Sequence, residues 1–310
     1  MESARPRIVR RRPRRGSIER PINLRLVRSA SLALVVPVLL VGFTIARPGP
    51  LPPSATPSAF DAASATLLAQ TLARDKPARV PGSATALAAG LWYREQLALY
   101  ALPTSTDRWR ETIRGLGTVQ LQNVVTVIEG QSAAAIAVVA HRDSGAGTNG
   151  ANDNASGTAA LIELARAYAP TSSGSAGVRP LHTLVFLSTD AAAFGGAGIR
   201  RFLASPIARD VIAAVVLDGI GGSARPAIRV GGIGGRSPAP SLVRTVASRI
   251  DGAVPMGARS PGLLEQVVGL GLGFGYGEQA VLLGSGISAV RIGNSSDGEG
   301  APGADPTSAI

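Results

Sequence analysis

Four short segments hold the residues whose types could do chemistry. They are His141-Arg142-Asp143-Ser144, Gly150-Ala151-Asn152-Asp153-Asn154-Ala155-Ser156-Gly157, Thr189-Asp190-Ala191-Ala192-Ala193-Phe194-Gly195 and Asp218-Gly219-Ile220-Gly221. Histidine and aspartate suit a borderline cation such as zinc. In His141-x-Asp143 the carboxylate is spaced to orient an imidazole that binds metal. Read one at a time, each segment is ordinary loop chemistry. Asp and Asn cap helices, and Asn152 to Ser156 precede a helical pattern. Their shared order and position give them weight together.

Three of the segments follow an apolar run: IAVVA before His141, LVFLS before Thr189, IAAVVL before Asp218. Continuous apolar runs of this length read as strands buried on both faces. The pattern predicts strands over 123–129, 134–140, 181–187, 211–218, 228–230 and 289–292. It predicts helices over 60–75, 84–100, 157–168, 195–203 and 240–250. The fold class that follows is α/β: a mainly parallel sheet with helices on both faces. In such sheets ligands sit beyond the carboxyl ends of the strands, where these segments fall.

Composition narrows the chemistry. The chain has 310 residues, 45% hydrophobic and 16% charged, enough for a sizeable core. There is no cysteine, which excludes disulfides, thiolate zinc ligands and thiol catalysis. There are two histidines, His141 and His182, so a three-histidine site is excluded within this sequence. His182 precedes an apolar strand and reads as structural. The net charge is +11, but ten arginines and two glutamates place +8 of it in residues 1–28. The remaining residues are near neutral and aromatics are 4%, so no nucleic-acid surface is expected.

The basic residues 1–28 read as a cytoplasmic tail. The uncharged stretch 29–46, SASLALVVPVLLVGFTIA, reads as a transmembrane signal anchor. As a helix it would span about 27 Å, near the thickness of a hydrocarbon core. The positive-inside rule then puts the N-terminus in the cytoplasm and the rest outside. The expectation is a single-pass membrane protein whose lipid contact is residues 29–46. The alternative is a cleaved signal peptide, with Thr44 and Ala46 at a small-x-small site. The tail arginines either set this topology or also bind anionic lipid, at about 1 kcal/mol each. Residues 47–59 read as a Pro-rich linker, and 60–310 as the extracytoplasmic domain.

The segment from about 123 to 292 resembles metallopeptidase family 28, the co-catalytic dizinc aminopeptidases. Their fold also occurs in glutamate carboxypeptidase and the transferrin receptor ectodomain. The matching stretches are QNVVTVIEG, VVAHRDSGAGTNGANDNASGTAALIELARAYA, HTLVFLSTDAAAFGGAGIRRFL, VVLDGIGG and GISAVRIG. The resemblance implies a zinc aminopeptidase-like fold and a two-zinc site in which one aspartate bridges the ions. His141 matches the first histidine ligand, and Asp143 the carboxylate that orients it. Asp153 matches the bridging aspartate, whose peptide bond to the next residue, here Asn154, is often cis in the family. Asp218 matches the carboxylate on the second ion.

The departures from the family decide the expected function. The family's Glu-Glu-Phe-Gly is here Ala192-Ala193-Phe194-Gly195. Ala192 stands where the resemblance puts the general base, and Ala193 where it puts a metal ligand. The distal histidine ligand has its best match in 301–305, APGAD, with alanine in its place. The residual ligands are His141, Asp153 and Asp218, so zinc is expected to bind weakly or not at all. Without the glutamate, about 10²–10⁴-fold of general-base catalysis is lost. The domain is therefore expected to be a pseudoenzyme, used for binding or assembly with a peptide or protein ligand. The alternative is an active zinc exopeptidase with an altered site. Asp190 is two residues from Ala192 and displaced from the ligand position. Glu278 lies near the family's Ser-Asp pair. Arg142 is expected to offset repulsion among Asp143, Asp153 and Asp218. The stretch 267–277 reads as a flexible glycine loop and not a phosphate loop, since it has no Gly-Lys-Ser/Thr. No helical periodicity follows Ile292, so the family's closing helix is expected to be missing.

Overall fold

The structure is a computed structural model that describes residues 23–44, 49–52, 59–169, 179–259 and 275–294. Contacts divide the chain into two units, Met1–Pro48 and Gly49–Ile310. The described part of the first unit is helix α1 (Leu24–Thr44), which contains Pro37. Asn23 caps it, its Oδ1 accepting from the Arg25 N–H at 3.1 Å. The expected span 29–46 falls largely on α1. Among the described residues, however, no helix is long and apolar enough to cross a membrane. Most of the tail, part of the linker and residues 295–310 lie outside the described residues.

The second unit carries a seven-stranded sheet in the order β1-β2-β4-β3-β5-β7-β6. The strands are β1 (Thr104–Ile113), β2 (Gly117–Ile128), β3 (Ser132–His141), β4 (His182–Thr189), β5 (Val211–Leu217), β6 (Pro226–Arg229) and β7 (Ser288–Asn294). The expected strands are all present. The expected mainly parallel sheet is corrected to a mixed one. Only the central β4-β3-β5-β7 pairings are parallel. The pairings β1-β2, β2-β4 and β6-β7 are antiparallel. The β1-β2 hairpin was not expected at all, because β1 has the alternating polar pattern of an edge strand.

Helices cover both faces. On one face α3 (Ala84–Ala98) and α4 (Gly157–Ala167) pack Tyr93, Leu97, Leu161 and Ile162 against Val124, Ala140 and Phe186. On the other, α5 (Ala197–Leu203) and α7 (Glu278–Gly284) pack Ile199, Phe202, Leu282 and Leu283 against Ala137, Val139, Val185 and Leu187. Neighbouring residues of β3 serve opposite faces, as the pleat requires. Helix α2 (Ala62–Asp75) is capped by Asp61, which accepts from the Ala63 and Ser64 N–H groups. Buried Glu163 on α4 accepts from the Asp61 N–H at 2.9 Å, tying that cap to α4. Helix α6 (Pro240–Ala253) packs on β6 and β7.

Candidate metal centre

The parallel pairing places the ends of β3, β4 and β5 side by side, with His141 opposite Thr189. The chain leaves β3 on His141 and leaves β5 on Asp218. The turn Ala151–Ser156 brings Asp153 up to them, and the Asp153–Asn154 peptide bond is cis. The polar residues of that turn explain how the three meet. Asn154 is fully buried; its Oδ1 accepts from Gly157 N at 2.9 Å and Gly219 N at 3.1 Å. Its Nδ2 donates to Leu217 O at 2.8 Å. Asn152 Oδ1 accepts from Gly221 N at 3.0 Å, and Ser156 Oγ accepts from Ile220 N at 3.1 Å. So the turn grips the residues on both sides of Asp218. Gly157 makes this approach feasible: a Cβ there would lie 2.3 Å from Asn154 Oδ1 and 2.7 Å from Leu217 O.

His141 is the hub. Its Nε2 lies 3.1 Å from Asp153 Oδ1 and 3.3 Å from Asp218 Oδ1. Its Nδ1 faces the main-chain carbonyl of Asp143 at 3.1 Å and the Asp143 carboxylate at 3.4 Å. Asp143 is thus next to the imidazole as expected, with its carbonyl the closer partner. Burial alone would lower the His141 pKa, but Asp143, Asp153 and Asp218 raise it well above its ordinary value. Burial would likewise raise Asp143 and Asp218. The His141 hydrogen bonds and charge, joined at Asp218 by Arg291, hold both below the usual carboxylate range.

His141, Asp153 and Asp218 each offer one ligand atom, and these atoms lie within 4.8 Å of one another. Ligands about 2.0–2.1 Å from a tetrahedral zinc stand roughly 3.3–3.4 Å apart. The two distances from His141 Nε2 are close to that edge length. The donor set is one nitrogen and two carboxylate oxygens, which suits zinc. The residues present therefore fit one divalent ion. Among the described residues no second cluster of this kind is found, and the other oxygen of Asp218, Oδ2, accepts from Arg291 Nη1 at 2.6 Å.

Other expected residues fall elsewhere. Ala192 and Ala193 sit in the turn after β4, and Ala192 N–H donates to Asp143 Oδ1 at 3.2 Å. Asp190 is buried, turned to the Gln122 N–H at 3.3 Å, and burial pushes its pKa up to about 6. It is not one of the three clustered groups. Arg142 bonds neither Asp153 nor Asp218. Its guanidinium donates to Ser188 O at 2.6 Å, Ser188 Oγ at 2.9 Å and Gln122 O at 2.6 Å. Arg142 acts electrostatically on Asp143, as expected, but makes no ion pair with Asp153 or Asp218; the direct ion pair to the cluster comes from Arg291. The reason is direction, since Arg142 points into the sheet. His182 lies at the opposite end of β4 from the cluster, 3.5 Å from Ser132 Oγ. The segment 301–305 and most of the glycine loop 267–277 lie outside the described residues.

Two cations and one acid were missed or left open by sequence reasoning. Arg291 reads as a lone charge in an apolar strand. Arg79 lies in KPARVPG, between the expected helices 60–75 and 84–100, and is fully buried. It donates to Arg142 O at 2.6 Å, Lys76 O at 2.9 Å, Asn149 O at 2.8 Å and Gly150 O at 2.9 Å. It thereby holds the loop between His141 and Asp153. Burial lowers its pKa to about 10. Glu278, at the start of α7, is 2% exposed, and neither carboxyl oxygen has a hydrogen-bond partner among the described residues. Burial pushes its pKa up to about 7; the His141 charge and the nearby Thr189 hydroxyl pull it back, and Asp143 and Asp218 push it further up.

Comparison with known proteins agrees with this fold. Residues 123–254 match the profile of Peptidase family M28. A Zn-dependent exopeptidase from Parabacteroides distasonis superposes with a TM-score of 0.60 at 18% identity, over 79% of this chain and 88% of that one. A glutaminyl cyclase from Porphyromonas gingivalis superposes at 0.56 and 19% identity, over 77% and 86%. A leucine aminopeptidase precursor from Bacteroides thetaiotaomicron superposes at 0.57 and 18% identity, over 76% and 86%. No curated protein matches in sequence. The second unit thus has the M28-type fold shared by zinc exopeptidases and glutaminyl cyclases.

Proposed function

We propose that this M28-type domain binds a peptide or protein ligand without hydrolysing it, and that residues 29–46 anchor it in a membrane with the domain outside. The observation that carries the first part is the turn after β4. Where the resemblance asks for a general base and a metal ligand, Ala192 and Ala193 supply methyl groups. Ala192 enters the site only through its main-chain N–H, bonded to Asp143. A zinc ion held by His141, Asp153 and Asp218 would supply Lewis acidity. The chain's residues would hold it and keep the imidazole oriented through Asp143. Two of the clustered groups are not free to take a proton from an attacking water: His141 is flanked by carboxylates, and Asp218 is paired with Arg291.

One observation favours a second reading, an active exopeptidase. Glu278 is a buried carboxyl with no ion pair among the described residues, and a pKa of about 7 suits a general base. The test is hydrolysis of aminoacyl chromogenic substrates and cyclisation of a glutaminyl peptide by the purified full chain with added zinc. The binding reading expects no turnover above background. Turnover abolished by both Asp153→Asn and Glu278→Gln would establish the second reading instead. The anchor is tested separately by carbonate extraction of membranes expressing the full chain; release into the soluble fraction would refute it.

A further inference from the structure

Asp218 uses both of its carboxylate oxygens. Oδ1 faces His141 Nε2 at 3.3 Å, and Oδ2 accepts from Arg291 Nη1 at 2.6 Å. Arg291 is placed there by the sheet itself. It lies on β7, where it pairs in register with Val216 on β5, two residues before Asp218. Its side chain is 10% exposed, and its guanidinium lies 5.9 Å from the centre of the Tyr276 ring. Gly277 leaves it room, since a Cβ there would stand 3.3 Å from Nη1. Among the described residues it is the one arginine or lysine in an ion pair with the cluster.

We propose that Arg291 is a resident cation that holds the outer oxygen of Asp218 and weakens divalent-cation binding there, so that the site takes at most one such ion, on His141, Asp153 and Asp218. A guanidinium is always charged and forms a fixed fork of donors. Set on the outer oxygen of Asp218, it neutralises the carboxylate and blocks it as a ligand of another ion. It also repels a divalent cation brought to the inner oxygen, at a separation where one unit charge matters. Glu278, nine-tenths buried or more, interacts electrostatically with His141, Asp143 and Asp218. The inference rests on the proposed reading for where the ion sits, but not on the absence of hydrolysis. Counting zinc therefore tests it independently of any substrate assay.

The experiment is calorimetric titration of the purified full chain with zinc alone, plus zinc content after dialysis. The wild type is expected to bind no more than one zinc that Asp153→Asn abolishes. Arg291→Met frees Asp218 Oδ2 and removes the charge, so zinc should bind roughly tenfold tighter or more. Arg291→Gln, which keeps a donor to Asp218, should show the same direction if Arg291→Met fails to fold. Arg291→Lys keeps the charge and should stay within about threefold of wild type. Two zinc ions lost together in Asp153→Asn would overturn the proposal. So would zinc affinity unchanged in a neutral Arg291 variant whose circular dichroism and melting are native-like.

Discussion

The ends of β3 and β4 lie side by side, His141 opposite Thr189, and they meet the pocket differently. After β3, His141, Arg142, Asp143 and Ser144 are all buried, and each makes a hydrogen bond. After β4, buried Thr189 and Asp190 give way to three alanines, and Ala191 turns the chain with φ at 57°. One end presents charge to the pocket; the other presents methyl groups and a main-chain N–H. The fold nevertheless holds both in place, because the bonds that position the β4 turn run through its backbone. Gly198 N donates to Asp190 O at 3.0 Å, and Ala192 N to Asp143 Oδ1 at 3.2 Å. Side chains at 191–193 can be small in such a turn without disturbing the scaffold, whereas the β3 and β5 ends are held through side chains as well as backbone.

The contrast can be broken most forcefully at Asp218. Asp218→Ala leaves Arg291 buried without its partner and should cost about 3–5 kcal/mol, a fall of roughly 10 °C in Tm. A calorimetric scan reads this directly; a shift within about 2 °C would show that the cluster does not hold the β5 end.

A smaller effect is expected at Glu278. Its folded pKa is about 7, above the ordinary value near 4.5. Between those values the unfolded chain releases the proton while the folded chain keeps it. Stability attributable to this group is thus intact below about pH 4.5, falls as pH rises to about 7, and is flat above. The loss is on the order of 3 kcal/mol. Glu278→Gln should remove this slope and be the more stable protein at pH 8. Urea melts of both proteins at pH 4.5 and 8 check it, and parallel pH profiles would refute it.

The mildest test sharpens the comparison by giving the β4 turn its missing chemistry. Ala193 is exposed, so Ala193→Glu should leave stability within about 0.5 kcal/mol. An added carboxylate at this rim should tighten zinc binding by roughly tenfold. An unchanged titration would mean that this turn does not face the ion.

Much of the fold was legible because apolar periodicity is local. The runs IAVVA, LVFLS and IAAVVL marked β3, β4 and β5, and amphipathic spacing marked α2 to α6. Strand direction was not legible. The buried stretch of β2 reads as interior strand, but nothing in it says that it runs against β4. The edge strand β1 hid behind Asp107, Arg108, Arg110 and Glu111, since a strand with one solvated flank need not look apolar.

For the candidate site, residue types and order along the chain marked four segments, and the family resemblance singled out His141, Asp153 and Asp218 within them and Ala192 and Ala193 where it puts acids. Those are facts about side chains, and no folding alters them. What the tertiary structure alone decided is where each buried cation goes. Arg142, adjacent to the cluster in sequence, spends its guanidinium on Ser188 and Gln122. Arg291, 73 residues from Asp218, forms the ion pair. A charge finds its partner through space, and that distance is set by strand register and side-chain direction, which a linear chain does not display.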